Sequence, residues 1–159
     1  MPTSPAVVAA RALREALVGF EPEAYSGADC AILAEELAQT SKACAAASAR
    51  AGARAADCGA HRGFGDANDW WGRVSGTTAG QAKASLATAA ALDDCPETKQ
   101  AVVTGDLSLA QGAEIAKTEA ACPGTESELV GLAKGSTLGV LRDKARSRRL
   151  KAADVEDLA

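Results

Sequence analysis

The sequence contains few aromatic residues and few strong strand formers. Aromatic residues make up 3% of the 159 residues, whereas alanine dominates an apolar fraction of 47%. Small apolar side chains each remove little area from water, so the sequence predicts a thin core built from close helix contacts. Valine and isoleucine are too sparse for a sheet, and no segment alternates like a half-buried strand. The sequence therefore predicts an all-α fold.

Most residues that carry familiar enzyme chemistry are also scarce. The only histidine, His61, lies in a glycine-rich segment, where we interpret it as an ordinary loop residue. The chain has no Gly-x4-Gly-Lys phosphate loop, no Gly-x-Ser-x-Gly elbow and no Cys-x2-Cys zinc clip. Helical carboxylates such as Glu114 and Glu119 are interpreted as solvated. We therefore expect no catalytic residue, no metal ligand and no cofactor in this chain.

The five cysteines and the apolar segments bear on the cellular compartment. An odd number of cysteines fits no closed disulfide set. Cys30, Cys44 and Cys58 recur two heptads apart, and we interpret them as small apolar residues along one helix face. No apolar run is long enough to cross a bilayer, and the first residues lack the charged region of a signal peptide. We expect a cytoplasmic protein with reduced cysteines and no membrane contact.

One clear break divides the chain, at the glycine-rich residues 59–66. It predicts a helical arm over 1–59 and a bundle of short helices over 60–159. The arm has a first helix over 5–18 and a longer second helix that Ser26 caps. In the bundle, the patterns predict helices over residues 67–74, 78–93, 96–104, 108–121, 125–134 and 136–150.

The second helix has a stripe of apolar residues at alternating spacings of three and four, which is typical of a coiled coil or bundle. This stripe packs either on the first helix or on a second copy of the chain, and the spacing fits both. A homodimer through residues 26–58 is therefore one expectation. The stripe consists of Cys30, Leu33, Leu37, Thr40, Cys44, Ala47 and Ala51.

Sequence signals also mark where helices begin. Capping boxes, in which a hydroxyl residue precedes Glu or Gln by three positions, start helices with reciprocal hydrogen bonds. Ser136 or Thr137 is expected to cap the last helix. The predicted boxes are Ser108 with Gln111, Thr125 with Glu128, and Thr78 with Gln81.

The segment from Asn68 to Ala87 has the pattern of a helix-turn-helix. A short helix ends at a turn containing Gly76, where a left-handed backbone conformation favours glycine. A second helix then begins after Thr78, and in such motifs the second helix lies in the DNA major groove. Its outward positions hold alanine and glycine, so we expect phosphate contacts rather than base reading. The expected contacts come from Arg73, Thr78, Gln81 and Lys83.

Although the net charge is −4, the basic residues are unevenly distributed. Residues 139–151 contain six basic side chains against a single acid, Asp143. A local basic cluster is the electrostatic feature that phosphate binding requires, although it is also found on solvated helices. Its members are Arg142, Lys144, Arg146, Arg148, Arg149 and Lys151.

Two resemblances extend this interpretation. The turn and helix after Gly76, with Leu92, Pro96 and the tract Gly105-Asp106-Leu107-Ser108, are similar in order and spacing to the DNA-binding core of ParB-type partition proteins. Residues 20 to 150 more broadly resemble the N-terminal helical domain of actinobacterial HNH-endonuclease-like proteins, the 13E12 repeat family. The segments that carry this second resemblance are Leu17–Ala28, Trp70–Trp71, Ser75–Thr78, Gly105–Gln111 and Leu129–Leu141.

The second resemblance implies an all-helical, DNA-associated module ahead of an HNH nuclease domain. An HNH site needs several histidines, and this chain has one. We therefore expect a noncatalytic DNA-binding or targeting domain, while a longer parent protein would be the endonuclease. The alternative is a helical interaction or dimerisation scaffold that does not bind nucleic acid.

Overall fold

The computed structural model describes residues 3–158, and within this range the chain is all-α, as predicted. Short 3-10 turns at Pro22–Ala24 and Leu92–Asp94 supplement the α-helices, and these residues form no strand. Over the same range no helix combines the length and apolarity that crossing a bilayer requires. The helices are α1 Pro5–Val18, α2 Gly27–Asp57, α3 Ala67–Ser75, α4 Ala79–Ala91, α5 Pro96–Val103, α6 Leu109–Ala121, α7 Glu126–Lys134 and α8 Leu138–Asp157.

The described residues form two compact units, one ending at Leu37 and the other starting at Ala38. The sequence instead predicts a division at residue 59, where the glycines lie. The physical reason for the difference is that the second half of α2 contributes to the core of the second unit. There, Ala46, Ala49 and Gly52 are buried.

The stripe predicted along α2 describes only part of the packing. Its first members, Cys30, Leu33, Leu37 and Thr40, are half-buried. Its last members, Cys44, Ala47 and Ala51, are exposed, so within this chain they are not core positions, and their packing on a second copy stays a prediction. The buried row is the neighbouring one, and both rows consist of small residues.

Helix α6 is the centre of the second unit. It packs against α4, α5, α7 and α8, and the core formed around it is aliphatic. Its own buried residues include Gly112, which allows Val102 and Leu92 to approach its backbone. The largest fully buried apolar side chains of the unit are Leu92, Val102, Leu107, Ile115, Leu129, Val130 and Leu141.

Local capping signals predicted most helix starts correctly. The Ser108–Gln111 and Thr78–Gln81 capping boxes are both formed. At α8 the cap is Thr137, whose hydroxyl accepts from the backbone N–H of Val140 at 3.4 Å. Helix α8 continues to Asp157, well beyond the predicted end at residue 150.

The predicted Thr125–Glu128 capping box is wrong. The Thr125 side chain makes no cap hydrogen bond. A carboxylate from the preceding helix α6 accepts hydrogen bonds from the N–H groups at the start of α7 instead. Glu119 accepts from the backbone N–H groups of Gly124, Thr125 and Glu126 at 2.7–2.8 Å. These backbone hydrogen bonds, led by that from Gly124, lower the pKa of Glu119. Glu119 thus joins the end of α6 to the start of α7.

The turn between α5 and α6 is held against α2. The side-chain amide of Gln39 donates to the Thr104 carbonyl at 3.2 Å, and the Lys42 ammonium lies 3.5 Å from the Asp106 carbonyl. Between these contacts, Gly105 has a φ of +81°. A Cβ at this position would overlap the carbonyl oxygen of Gln39. The turn therefore requires glycine for both its conformation and its space.

We predict that Gly105→Ala destabilises the second unit by about 3 kcal/mol or more, since it combines a left-handed conformation with a backbone overlap. Gly76→Ala is the matched control, because Gly76 also has positive φ but no atom lies within 4 Å of its added Cβ. The control should lose only about 1 kcal/mol. Urea denaturation of both variants measures the difference, and equal losses would contradict the close contact with Gln39.

We predict that Glu119→Gln lowers stability at pH 7 and that its deficit shrinks in acid. Because the pKa of folded Glu119 lies below its usual value of 4.5, the charged form stabilises the fold above that pH. This stabilisation is lost as the pH falls through the folded pKa. Urea denaturation at a series of pH values tests this, with the exposed Asp143→Asn as control. A deficit independent of pH would contradict the role of the charge.

Candidate nucleic-acid interface

The helix-turn-helix predicted from the sequence forms between α3 and α4. Helix α3 ends at Gly76, whose φ of 69° and ψ of 32° are left-handed, as expected. The N–H groups of Gly76 and Thr77 both donate to the Gly72 carbonyl, which closes the turn. A Cβ on Gly72 would lie 3.0 Å from the Thr77 carbonyl oxygen. The two glycines thus make the turn tight.

Trp71 packs this motif against α2. Its side chain is 7% exposed, and its indole Nε1 donates to the Ser85 hydroxyl of α4 at 3.4 Å. On its other side the ring packs on Gly52 of α2. Trp70 is half-buried, with its ring centroid 5.8 Å from that of Trp71. Trp71 is thus the tryptophan that serves the core.

Helix α4 shows the two faces that the sequence predicts. Ala82 and Ala89 are buried, and Leu86 is half-buried. On the opposite side an exposed surface begins with the first turn of α4, and the exposed Arg73 of α3 precedes it. The exposed residues of α4 here are those predicted to point outward, namely Ala79, Gly80, Lys83 and Ala84.

Two of the residues predicted to contact DNA, Thr78 and Gln81, form the capping box of α4. The Thr78 hydroxyl accepts from the Gln81 N–H at 3.1 Å, and the Gln81 side-chain oxygen accepts from the Thr78 N–H at 3.1 Å. These hydrogen bonds start α4. Arg73 borders a shallow depression with Thr77 and Ala79, and the acidic Asp69 lines it as well. Of the four residues predicted to contact DNA here, Arg73 and Lys83 are the cations, and neither takes part in the capping box.

The basic residues of α8 divide into two groups. Arg148 donates to both oxygens of Glu128 at 2.7 Å, and Lys144 lies 3.3 Å from the same carboxylate. The hydrogen bond from Arg148 is the main cause of the lowered pKa of Glu128. Arg142, Arg146 and Lys151 are exposed, and in the described part of the chain they form no ion pair.

Arg149 is part of the packing between α6 and α8. Its guanidinium donates to Glu114 at 2.7 Å and to the buried Thr118 hydroxyl at 2.6 Å. The side chains of Arg149 and Glu114 are only 23% and 17% exposed. The interpretation of Glu114 and Glu119 as solvated carboxylates is therefore wrong, because both make specific hydrogen bonds. No sequence signal marks Arg149 as the partner of Glu114, since the two residues lie 35 positions apart.

The structure does not place the cations of the α3–α4 motif, Arg73 and Lys83, next to the basic residues of α8. Helix α4 lies beside α6 at a groove lined on α6 by Ala113, Ala116, Lys117 and Ala120. Helix α8 contacts α6 at Glu114 and Thr118. At about 100° per residue these two sets of positions are centred on different faces of α6. Helix α6 thus separates α4, with Lys83, from α8 with its arginines.

Comparisons of the chain with protein-family models, with curated proteins and with solved structures gave no match. The resemblances to ParB-type proteins and to HNH-endonuclease-like proteins therefore stay predictions from the sequence.

We predict that Arg149→Ala and Glu114→Ala each destabilise the second unit by about 1–3 kcal/mol, because each leaves a partly buried partner without its hydrogen bonds. Arg146→Ala, on the same helix but exposed, should change stability by less than about 0.5 kcal/mol. Urea denaturation measures all three variants. If Arg149→Ala behaved like Arg146→Ala, the packing role of Arg149 would be refuted.

Proposed function

We propose that this chain is a noncatalytic DNA-binding or targeting domain whose α3–α4 helix-turn-helix contacts the duplex. The observation that carries the proposal is the exposure of the first turn of α4 directly after the left-handed Gly76. An exposed N-terminus of this kind is the part of a helix-turn-helix that approaches DNA.

The side chains at this turn favour contact with the sugar–phosphate backbone. Ala79 and Gly80 are small, so a phosphate can approach the helix closely. The positive end of the helix dipole and its free N–H groups favour an anion at this position. Arg73 and Lys83 supply the full positive charges. Because no Asn or Arg lies among the outward residues of α4, we propose binding by phosphate contact and shape.

Only three of the six basic residues of α8 are proposed to contact DNA. Arg148, Lys144 and Arg149 face carboxylates, which leaves Arg142, Arg146 and Lys151 for phosphates. Since α6 lies between α4 and α8, we propose that these three residues make a second, separate contact. A separate cluster adds to salt-dependent affinity without reading sequence.

The family resemblance supports a narrower proposal. The segments from Leu17 to Leu141 quoted above favour a module of an actinobacterial HNH-endonuclease-like protein, working in the cytoplasm, with the nuclease chemistry in a longer parent. Sequencing the reading frame around this chain tests this. A histidine-rich HNH motif downstream supports the proposal, and a continuous frame without one contradicts it.

A second candidate function is an interaction scaffold that dimerises through residues 26–58. The observation in its favour is that Cys44, Ala47 and Ala51 form an exposed row of small residues on α2. Such residues allow close approach of a second helix. This scaffold would bind no nucleic acid, so DNA titration separates the two candidates.

We predict that the chain binds a labelled DNA duplex with an affinity that falls steeply as salt rises. Each phosphate contact contributes roughly −0.9 to the slope of log affinity against log salt. Arg73→Ala with Lys83→Ala should therefore make the slope shallower by about 2 and weaken binding at every salt concentration. Fluorescence anisotropy over a salt series measures both quantities.

The control for this experiment is Lys134→Ala, which removes an exposed charge at the end of α7. It should leave the slope unchanged. The triple variant Arg142→Ala, Arg146→Ala, Lys151→Ala tests the second contact separately. The absence of any binding at low salt contradicts the DNA proposal. If Lys134→Ala changed the slope as much as Arg73→Ala with Lys83→Ala does, the binding would be only nonspecific charge attraction.

A further inference from the structure

The first compact unit has almost no core of its own. Within residues 3–37 no side chain is buried, although several are half-buried. Helix α1 is 14 residues long and has no buried residue. A helix of this length is marginally stable in water unless an apolar face is covered. Val7, Val8 and Val18 nevertheless lie exposed on α1, the last of them by 88%. This unit therefore presents apolar surface that a partner could cover.

One face of α1 is both apolar and basic. Val7, Arg11, Arg14 and Val18 follow one another at spacings of four, three and four, which places them on one side of the helix. All four are exposed. The half-buried Leu13 is on a different side. The outward face of α1 is thus a pair of valines with two arginines between them.

The first part of α2 has an outward face of opposite charge. Ile32 is 64% exposed, and the exposed Glu35 and Glu36 follow it three and four residues later, on the same side of the helix. The half-buried Cys30, Leu33 and Leu37 lie on another side. The outward face of α2 is thus an isoleucine flanked by two carboxylates.

We propose that the chain forms a homodimer in which the outward face of α1 packs on the outward face of α2 from a second copy. Valines would cover isoleucine, and Arg11 and Arg14 would face Glu35 and Glu36. Within the described residues none of these four charges forms an ion pair. Both complementary faces belong to the same chain, so in a two-fold dimer the α1 of each copy can pack on the α2 of the other.

This interface is separate from the proposed DNA-binding surface, and although its α2 residues lie within 26–58, it does not use the Cys44–Ala47–Ala51 row. It uses only residues 7–36, and none of the residues proposed to bind DNA lies in that range. DNA binding and dimer formation can therefore fail independently of each other, and the experiments on each distinguish the two.

Sedimentation of the full chain tests the proposal. We expect a dimer at protein concentrations up to about 100 μM, with weaker association in high salt. Arg11→Glu with Arg14→Glu should raise the dimer dissociation constant by about tenfold or more, since it places like charges together. Glu35→Lys with Glu36→Lys should do the same. Combining the four changes should restore the dimer, because the charges are then exchanged between the faces.

The matched control is Lys117→Glu with Lys134→Glu, which makes the same change in net charge on exposed positions of α6 and α7. It should leave the dissociation constant unchanged. Circular dichroism shows whether each variant keeps its helices, and the combined variant reports on the interface even where one pair of changes disturbs α1. A monomer at every concentration, or a dimer that no charge reversal weakens, overturns the proposal.

Discussion

The second unit depends on close contacts that only glycine and alanine permit. A Cβ added to Gly52 would lie 2.9 Å from the Trp71 ring. A Cβ added to Gly112 would lie 2.9 Å from the Val102 side chain. Ala46 and Ala82 are likewise completely buried. A chain with few bulky side chains obtains a dense core by opposing each large residue with a very small one. This pairing fixes where α2, α3 and α6 meet their neighbours.

The same constraint explains which parts of the fold could be predicted from the sequence. Helix starts were predictable because their signals are local, as Ser108 with Gln111 and Thr137 with Val140 show. The buried row of α2 was not predictable, because the row of Ala46 and Ala49 and the row of Ala47 and Ala51 are almost equally apolar. The partners that decide between the two rows lie far along the chain, since Trp71 packs on Gly52 and Ala46 joins the core around Leu107.

Polar contacts between residues far apart in the sequence could not be predicted either. Glu119 caps the turn before α7, and Arg149 packs against Glu114 across two helices. Neither pairing leaves a periodic trace in the sequence, because the partners are fixed by tertiary packing. For the same reason the charge cluster of α8 looked uniform, although half of its members face carboxylates. A count of basic residues therefore overstates the charge that a ligand would meet.

For the helix-turn-helix, the local prediction and the packing agree. Gly76 and Thr78 set the turn by local chemistry, while the hydrogen bond from Trp71 to Ser85 and the contact with Gly52 fix α3 and α4 together. Trp71 lies on the buried side of the motif, whereas Ala79, Gly80 and Gln81 at the start of α4 are exposed. The side chains of that turn are small, so in the proposed function DNA would be bound by the backbone N–H groups of the turn and by Arg73 and Lys83.

A site with so few contacts gains most from being present twice. A lone α4 with Arg73 and Lys83 would make few phosphate contacts, and its affinity would fall quickly with salt. In the proposed dimer each copy would bring its own α4, and binding at one half-site would raise the effective concentration at the other. Helix-turn-helix proteins commonly use this arrangement, with the spacing of half-sites set by the dimer. The outward faces of α1 and α2 would then determine the spacing, although they touch no DNA.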